Sequence, residues 1–230
     1  MQFQHSSRLR SEHPGLVASV LAASGIDASP VPDLSPYFAA AKDRLGSGTE
    51  SDLPEIQAWR RAFASMGLKP TQYRCASEAL LRRFRKEGTL PRLHPLVDLC
   101  NAISLAFAVP VAALDLSKIT GDLEVRHAAG GESYLTFGGE TEHPAPDEVI
   151  FADGAGRAHA RRWTNRQSGL SAVRDTTMDV LIVAEGLHDT AAADLPRLIE
   201  TVAAELAAHW HISPRTAILD QAQPGFDVRS

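Results

Sequence analysis

Two polar side chains of this chain stand beside apolar stretches, where a fold could bring them into a pocket. Asn101 follows Cys100 in an apolar run, and its amide can both donate and accept hydrogen bonds. Such a group suits holding a carbonyl or an attacking water, and it equally suits a satisfied core position that orders a helix. Glu185 directly follows another apolar run. A carboxylate at that point can bind a hydroxyl group or remain a solvated acid at a strand end.

A tryptophan flanked by arginines forms a second candidate site, in the order Arg162, Trp163, Arg166 and Gln167. A guanidinium is planar and bidentate, so these arginines could hold a phosphate or a carboxylate while the indole stacks on a base. Alternatively, Trp163 is a core aromatic and the arginines form the solvated face of a strand. The residues themselves leave both interpretations open.

The strongest basic cluster of the sequence comprises Arg82, Arg83, Arg85, Lys86 and Arg92. On a helix, positions 82, 85 and 86 share one face, which allows contacts with phosphates. An ordinary solvated helix face is the alternative. The net charge of −5 argues against wide electrostatic binding of RNA. We therefore expect any RNA contact to be local.

The motifs of common metal, cofactor and nucleophile sites are missing from the sequence. Cys75 and Cys100 are the only cysteines, and neither belongs to a C-x-x-C pair. His209 and His211 diverge on a helix and have no third ligand nearby. No G-x-S-x-G element is present. We expect no metal, no cofactor and no covalent nucleophile.

Length and composition are those of a globular protein, with 230 residues, 44% hydrophobic and 22% charged. No apolar run approaches the roughly 20 residues that cross a bilayer, and the N-terminus lacks the apolar segment of a signal peptide. Reduced cysteines are the default in the cytoplasm. These features predict a single domain over residues 1–230 that works in the cytoplasm, without a membrane partner.

Apolar residues at spacings of three and four predict amphipathic helices over residues 37–45, 53–66, 77–86 and 195–210. Residues 90–119 predict a turn, a long buried helix, a break at Pro110 and a short strand that ends in an acidic turn. Residues 46–51 form a polar connector rich in glycine and serine.

Alternating apolar and polar residues predict a strand over residues 122–127, and residues 148–152, 157–163 and 180–184 are further strand candidates. The apolar run at 13–26 fits either a buried strand or a helix, and the polar tail at 221–230 is expected to be loose. Helices early, strands late and a terminal helix predict an α+β domain.

Residues 90–119 resemble the B3/B4 module of the β subunit of bacterial phenylalanyl-tRNA synthetase, which hydrolyses wrongly charged tRNA. The matching residues are Arg92, His94, Val97, Asp98, Asn101, Pro110, Ala112, Asp115, Lys118 and Ile119. The resemblance covers about residues 74–186, preceded by an N-terminal strand and helix extension at 1–52. It implies a strand at 13–26 and a mixed sheet with flanking helices and a central pocket.

The resemblance also implies roles for individual residues. Asn101 matches an asparagine of the editing pocket and is expected to be catalytic, while Glu185 matches a glutamate that recognises the phenolic hydroxyl of tyrosine. The other expected substrate contacts are Trp163, Arg166, Gln167, Cys100, Pro110 and Ala112. Ala112 departs from the family, which has histidine there, so the synthetase-like hydrolytic centre is incomplete or rebuilt. The segment 161–168 replaces a glycine-rich turn of the synthetase.

These features favour a free-standing, editing-like protein that binds the 3′ end of aminoacyl-tRNA and hydrolyses the ester of a wrongly attached amino acid. Arg162 and the basic cluster at 82–92 would contact the RNA. Nothing resembles an ATP-binding core, so the chain is not expected to be a full ligase. Two alternatives remain open, a non-catalytic tRNA-binding module and a pocket for a free amino acid or small metabolite.

Overall fold

The structure is a computed structural model that describes residues 1–228. Within these residues the chain forms α1 (Ser7–Glu12), α2 (Ser35–Leu45), α3 (Pro54–Ser65), α4 (Ala76–Glu87), α5 (Pro95–Phe107) and α6 (Ala191–Trp210). The longer strands are β2 (Val17–Ser24), β3 (Val111–Asp115), β4 (Leu123–His127), β7 (Val149–Asp153), β10 (Asp179–Gly186) and β11 (Arg215–Leu219). The shorter strands are β1 (Gln2–His5), β5 (Tyr134–Leu135), β6 (Thr141–Glu142), β8 (Ala158–Arg161), β9 (Arg166–Gln167) and β12 (Gly225–Asp227). No helix in this part of the chain is long and apolar enough to cross a membrane.

The strands form two main sheets and one small hairpin. A four-stranded antiparallel sheet has the order β11-β2-β10-β3, which leaves β3 at an edge. A six-stranded sheet has the order β12-β1-β4-β7-β8-β9, and its β1–β4 pair is parallel while its other pairs are antiparallel. Strands β5 and β6 pair with each other. The predicted α+β class with a mixed sheet is confirmed, and the mixed character lies in the larger sheet.

The four-stranded sheet separates two hydrophobic cores. Along β10, Val180, Ile182 and Ala184 pack with α5 and α6, whereas Leu181 and Val183 pack with α3, α4 and the six-stranded sheet. Successive side chains of a strand point to opposite faces, so this alternation follows from the period of two. Glu185 is next in that alternation, and it therefore lies on the same face as Leu181 and Val183.

Local sequence features explain where helix α5 begins and ends. The ring of His94 accepts a hydrogen bond from the backbone N–H of Leu96, and Pro95 occupies the first helical position, where its missing N–H costs nothing. The helix ends at Phe107, its C-cap residue Ala108 has a φ of 57°, and Pro110 lies two residues further on. The predicted helix, break and strand over residues 90–119 are all present.

Several predicted boundaries differ from the structure. Helix α6 begins at Ala191 rather than at residue 195, and the predicted strand at 157–163 ends at Arg161. The run at 13–26 contains β2, an interior strand of the four-stranded sheet. The prediction of a loose tail at 221–230 is wrong for β12, which pairs with β1 and so joins the two ends of the chain. Residues 229 and 230 lie outside the described residues.

Candidate functional site

A cavity of about 570 Å³ lies between helix α5 and the edge strand β3. The segment 172–176 forms a further wall, and Leu114 and Ala172 make an antiparallel bridge that holds this segment against β3. Helix α5 contributes Val97, Cys100 and Asn101, whose spacing puts them on one side of the helix. The cavity has the size of a typical ligand pocket and a mostly apolar wall.

The amide of Asn101 is a free polar group on this apolar wall. Asn101 is half-buried, and its side chain makes no hydrogen bond to another residue in 1–228. The neighbouring Cys100 is fully buried, and burial raises the pKa of its thiol to about 12. A thiol with that pKa stays protonated near neutral pH and is a poor nucleophile. Asn101, rather than Cys100, is the group that can act on a ligand.

His94 is a second polar group of this cavity, and sequence reasoning assigned it no role. Its Nδ1 accepts from the backbone N–H of Leu96 at 3.2 Å, so Nε2 carries the ring proton. That Nε2 is buried and has no partner among the described residues. Burial lowers the pKa of His94, partly opposed by nearby carboxylates that include Asp175 and Asp98. The ring is therefore a neutral N–H donor beside the cavity.

The mouth of the large cavity carries an aromatic ring and a guanidinium. Phe137 is 65% exposed, and Arg174 Cζ lies 5.7 Å from the centre of its ring. Gln167 lines the cavity from β9, and its Nε2 donates to the carbonyl of Ala113 at 2.8 Å. That bond fixes the amide of Gln167 against β3.

A second, smaller cavity of about 60 Å³ lies between the two main sheets. Its lining residues include Pro110, Ala112, Trp163, Arg166, Gln167 and Glu185. A water occupies about 30 Å³ in the liquid, so this space suits a small polar group or the end of a longer ligand.

Glu185 is held in this small cavity by a buried hydrogen-bond network. Its Oε1 accepts from Nε1 of Trp163 at 2.9 Å and lies 2.6 Å from Nε2 of His5. Nδ1 of His5 lies 3.3 Å from Nη2 of Arg10. A guanidinium only donates, so Nδ1 accepts and Nε2 carries the proton that His5 donates to Glu185. Desolvation lowers the pKa of Arg10, opposed by the charges of Asp220 and Glu185.

The turn that carries Trp163 has an unusual backbone. Arg162 and Trp163 have φ values of 47° and 57°, in the left-handed region that favours glycine. The N–H of Trp163 donates to the carbonyl of Val149 at 2.7 Å, and Arg162 Cζ lies 4.7 Å from the ring centre of Tyr73. These contacts and the bond to Glu185 offset the backbone strain.

Comparisons with known proteins identify the family of this scaffold. The family model for the B3/4 domain matches residues 58–202. The chain belongs to the B3/4 domain family. The phenylalanine–tRNA ligase beta subunit of Shewanella oneidensis is 36% identical over 101 residues, which are 44% of this chain and 12% of that protein. The corresponding subunit of Haemophilus influenzae is 26% identical over 148 residues, or 64% of this chain and 18% of that protein.

A solved structure is also similar to this B3/4 domain protein. An N-terminal fragment of the phenylalanyl-tRNA synthetase beta subunit from Pyrococcus horikoshii aligns with 93% of this chain and 49% of its own, with a TM-score of 0.48 and 12% identity. The match of the family model and the relatives described above confirm the predicted resemblance to the B3/B4 module. The matched segment spans less than a fifth of the two curated relatives described above.

The structure divides the predicted site residues of this B3/4 domain between the two cavities. Asn101 and Cys100 line the large cavity, whereas Glu185 and Trp163 line the small one, on the opposite face of the four-stranded sheet. The expectation that these residues line one central pocket is corrected, because they lie in two separate cavities that share only Val111 and Gln167, and Ala113 and Ala112 of the edge strand β3 line one each. Pro110 and Ala112 belong to the small cavity alone.

The sequence left two interpretations open for Trp163, and the structure supports the one in which it is a core aromatic. Its ring is fully buried and packs on Trp59 with ring centres 4.9 Å apart. A base cannot stack on a ring without exposed faces, so that role is excluded for Trp163. Arg166 remains accessible, with Nη1 3.3 Å from Oε2 of Glu142.

Most members of the basic cluster already pair with carboxylates. Glu50 is buried and accepts from Arg85 at 2.9 Å and from Arg82 at 3.4 Å. The remaining arginine pairs are Arg83 with Glu87 and Arg92 with Asp98. Lys86 is exposed and forms no ion pair within residues 1–228. The arginines thus serve the fold, and their contact with RNA stays a prediction.

Proposed function

We propose that this B3/4 domain protein binds the aminoacylated 3′ end of tRNA in the cytoplasm and hydrolyses the ester of a wrongly attached amino acid. The observation that carries the proposal is the unpartnered amide of Asn101 on the wall of a cavity of about 570 Å³. The family relationship supports tRNA as the partner, since the relatives are phenylalanine–tRNA ligase beta subunits.

The proposed reaction needs positioning more than a strong base. Water attacks the ester carbonyl carbon, the bond from that carbon to the ribose oxygen breaks, and the departing oxygen takes up a proton. An aminoacyl ester is intrinsically labile, so holding the carbonyl and the water in place supplies a useful acceleration. The amide of Asn101 offers both a donor and an acceptor for that purpose.

The terminal nucleotide would lie toward the mouth of the large cavity. The exposed ring of Phe137, with Arg174 beside it, can stack on a base. His94 lies two helical turns from Asn101, and its free Nε2–H would donate to a sugar or phosphate oxygen. Phe137 thereby takes the stacking role that the buried Trp163 cannot fill.

Glu185 would select the amino acid from the small cavity. Both of its hydrogen bonds fall on Oε1, and Oε2 has no hydrogen-bond partner among residues 1–228. A side chain that reached past Val111 and Gln167 could place a hydroxyl against Oε2. A site built to bind a hydroxyl rejects an analogue without one by a large factor.

A second candidate function is tRNA binding without hydrolysis. Ala112 favours it, because a methyl group stands in the small cavity where the synthetase module has histidine. Binding of a free amino acid without RNA is the further outcome that the same test can reveal.

The test measures deacylation of a panel of mischarged tRNAs by the purified chain and by Asn101→Ala. We expect turnover above the spontaneous rate for at least one substrate with the natural chain and a large loss with the variant. Binding of tRNA without turnover of any substrate would favour the second candidate. Stabilisation by an amino acid together with indifference to tRNA would overturn both RNA-based functions.

A further inference from the structure

A cluster of three potential metal ligands lies outside both cavities. Glu55 comes from the first turn of α3, His188 from the loop between β10 and α6, and Asp194 from the first turn of α6. One ligand atom from each lies within 4.8 Å of those from the other two. Glu55 and His188 are each only 5% exposed, so two of the three ligands are withdrawn from bulk water.

Two buried atoms of this cluster lack a hydrogen-bond partner. Glu55 accepts from Arg44 through Oε1 at 2.6 Å, while its buried Oε2 has no partner among the described residues. Nε2 of His188 lies 3.2 Å from Oδ2 of Asp194, so Nε2–H donates to that carboxylate. Nδ1, on the other edge of the His188 ring, is buried and has no partner among the described residues. Oε2 of Glu55 is therefore a buried acceptor without a donor, which is costly, and a bound cation would satisfy it. The same ion would take the place of the proton between Nε2 of His188 and Oδ2 of Asp194.

We propose that Glu55, His188 and Asp194 bind one divalent transition-metal ion of the Zn²⁺ class. Imidazole nitrogen and carboxylate oxygen are ligands that Zn²⁺ accepts, and three protein ligands leave a fourth position for water. Softer thiolate-binding ions are disfavoured, because no cysteine takes part in the cluster.

Neighbouring residues prepare the cluster for a metal ion. Arg44 engages Oε1 of Glu55, so Oε2 remains as the ligand oxygen of that side chain. Thr190 Oγ1 donates to Oδ2 of Asp194 at 2.5 Å and orients the second carboxylate. Such outer contacts set the direction of metal ligands and raise affinity.

An access route for the ion is also present. His188 lines a cleft of about 460 Å³ that also contains Asp189 and Asp220. Asp189 and Asp220 are exposed carboxylates at this cleft, and their charge attracts a divalent cation. The cleft therefore leads from solvent to His188, one of the three proposed ligands.

The bound ion would tie α3 to the loop after β10 and to the start of α6. The start of this loop is already tightly packed, because a Cβ added at Gly186, the last residue of β10, would lie 2.7 Å from Leu195 and 3.1 Å from His188. Since the ion binds the folded chain, it raises the melting temperature. The sequence predicted no metal because residues 55, 188 and 194 lack the spacing of a known motif.

The test is titration of chelator-treated protein with ZnCl₂ by calorimetry, together with CoCl₂ titration followed by visible absorption. We expect one ion per chain, a rise in melting temperature and a d–d absorption band. Glu55→Gln and His188→Gln should each weaken binding at least about tenfold. His209→Gln is the matched control, because His209 pairs with Glu205 on another part of α6 and should leave binding unchanged.

Absence of stoichiometric binding by the natural chain would overturn the proposal, as would binding that both variants retain. Loss of binding in His209→Gln alone would also overturn it, because the ion would then sit at the His209 surface. Circular dichroism checks that the variants are folded. Should Glu55→Gln or His188→Gln fail to fold, Asp194→Asn at the more exposed ligand gives the same measurement.

Discussion

The indole N–H of Trp163 donates to Oε1 of Glu185 at 2.9 Å, and both side chains are buried. This bond joins the turn after β8 to the end of β10, so it connects the six-stranded sheet to the four-stranded sheet. It also holds Trp163 in a backbone conformation with a φ of 57°. The same carboxylate accepts a hydrogen bond from His5 on β1. Glu185 therefore connects three separate parts of the chain.

Trp163→Phe should destabilise the protein more than Trp59→Phe. Both substitutions remove part of a buried indole, but Nε1 of Trp59 has no hydrogen-bond partner among the described residues. Loss of the bond to Glu185 should add about 1.5–3 kcal/mol to the cost at position 163. Urea unfolding of the two variants measures the difference. Equal free energies of unfolding would show that the bond contributes nothing.

Asn101→Ala should lower deacylation without lowering stability. The amide makes no hydrogen bond within residues 1–228, so its removal should change the free energy of unfolding by less than about 0.5 kcal/mol. Gln57→Ala, at an exposed position on α3, is the control and should leave deacylation unchanged. Single-turnover deacylation and urea unfolding give the two values. A loss of activity that merely follows a loss of folded protein would contradict the catalytic role.

His94→Asn should separate the two roles of His94. Asparagine is a good N-cap residue, so the start of α5 should be retained, whereas the free Nε2–H is lost. His94→Ala removes both and should cost about 1 kcal/mol of stability. We expect weaker binding of aminoacyl-tRNA in both variants and destabilisation only in the second. Unchanged affinity in His94→Asn would exclude a ligand contact by His94.

Asp153→Asn should reveal a carboxylate that stabilises the fold at neutral pH. Burial by itself would raise the pKa of Asp153, but hydrogen bonds from the Arg157 guanidinium and from the backbone N–H groups of Arg157 and Thr120 lower it to about 2. The ordinary value is 3.8. The carboxylate thus stabilises the folded state above pH 3.8, and this contribution is lost as the pH falls through about 2.

The substitution at Asp153 should therefore cost on the order of 2 kcal/mol at pH 7. The difference in unfolding free energy between natural chain and variant should narrow as the pH falls from about 4 toward 2. Asp43→Asn, at an exposed position on α2, should show little difference at any pH. If the difference in unfolding free energy between the natural chain and Asp153→Asn stayed constant down to pH 2, the charge of Asp153 would not contribute to stability.

Lys86→Ala and Arg85→Ala should have different effects, the first on tRNA binding and the second on stability. Arg85 pairs with the buried Glu50 at 2.9 Å, so its removal leaves a buried charge with one weaker partner and should destabilise the chain by about 2 kcal/mol. Lys86 is exposed, and its removal should preserve stability. If α4 contacts phosphates, Lys86→Ala should reduce the slope of log affinity for tRNA against log salt by about 1. An unchanged slope would show that Lys86 does not contact a phosphate of the RNA.

Local sequence features determined most of the helices and strands of this protein. Capping by His94, the proline at 95 and the break at Pro110 bound helix α5, and the short apolar run at residues 180–184 indicates strand β10. Such features act over a few residues, so they can be recognised without knowledge of the fold. The family pattern around Asn101 then identified the scaffold.

Tertiary structure decided which side chains share a cavity. Glu185 follows Ala184 on β10, so its side chain lies on the face of the four-stranded sheet opposite Asn101. Its hydrogen-bond partner His5 lies 180 residues away on β1. The pairing of β1 with β12 and the meeting of Glu55 with His188 are likewise contacts between distant segments. Such contacts are selected by the packing of the whole chain, because burial and hydrogen-bond satisfaction depend on every neighbour at once. No local spacing encodes them.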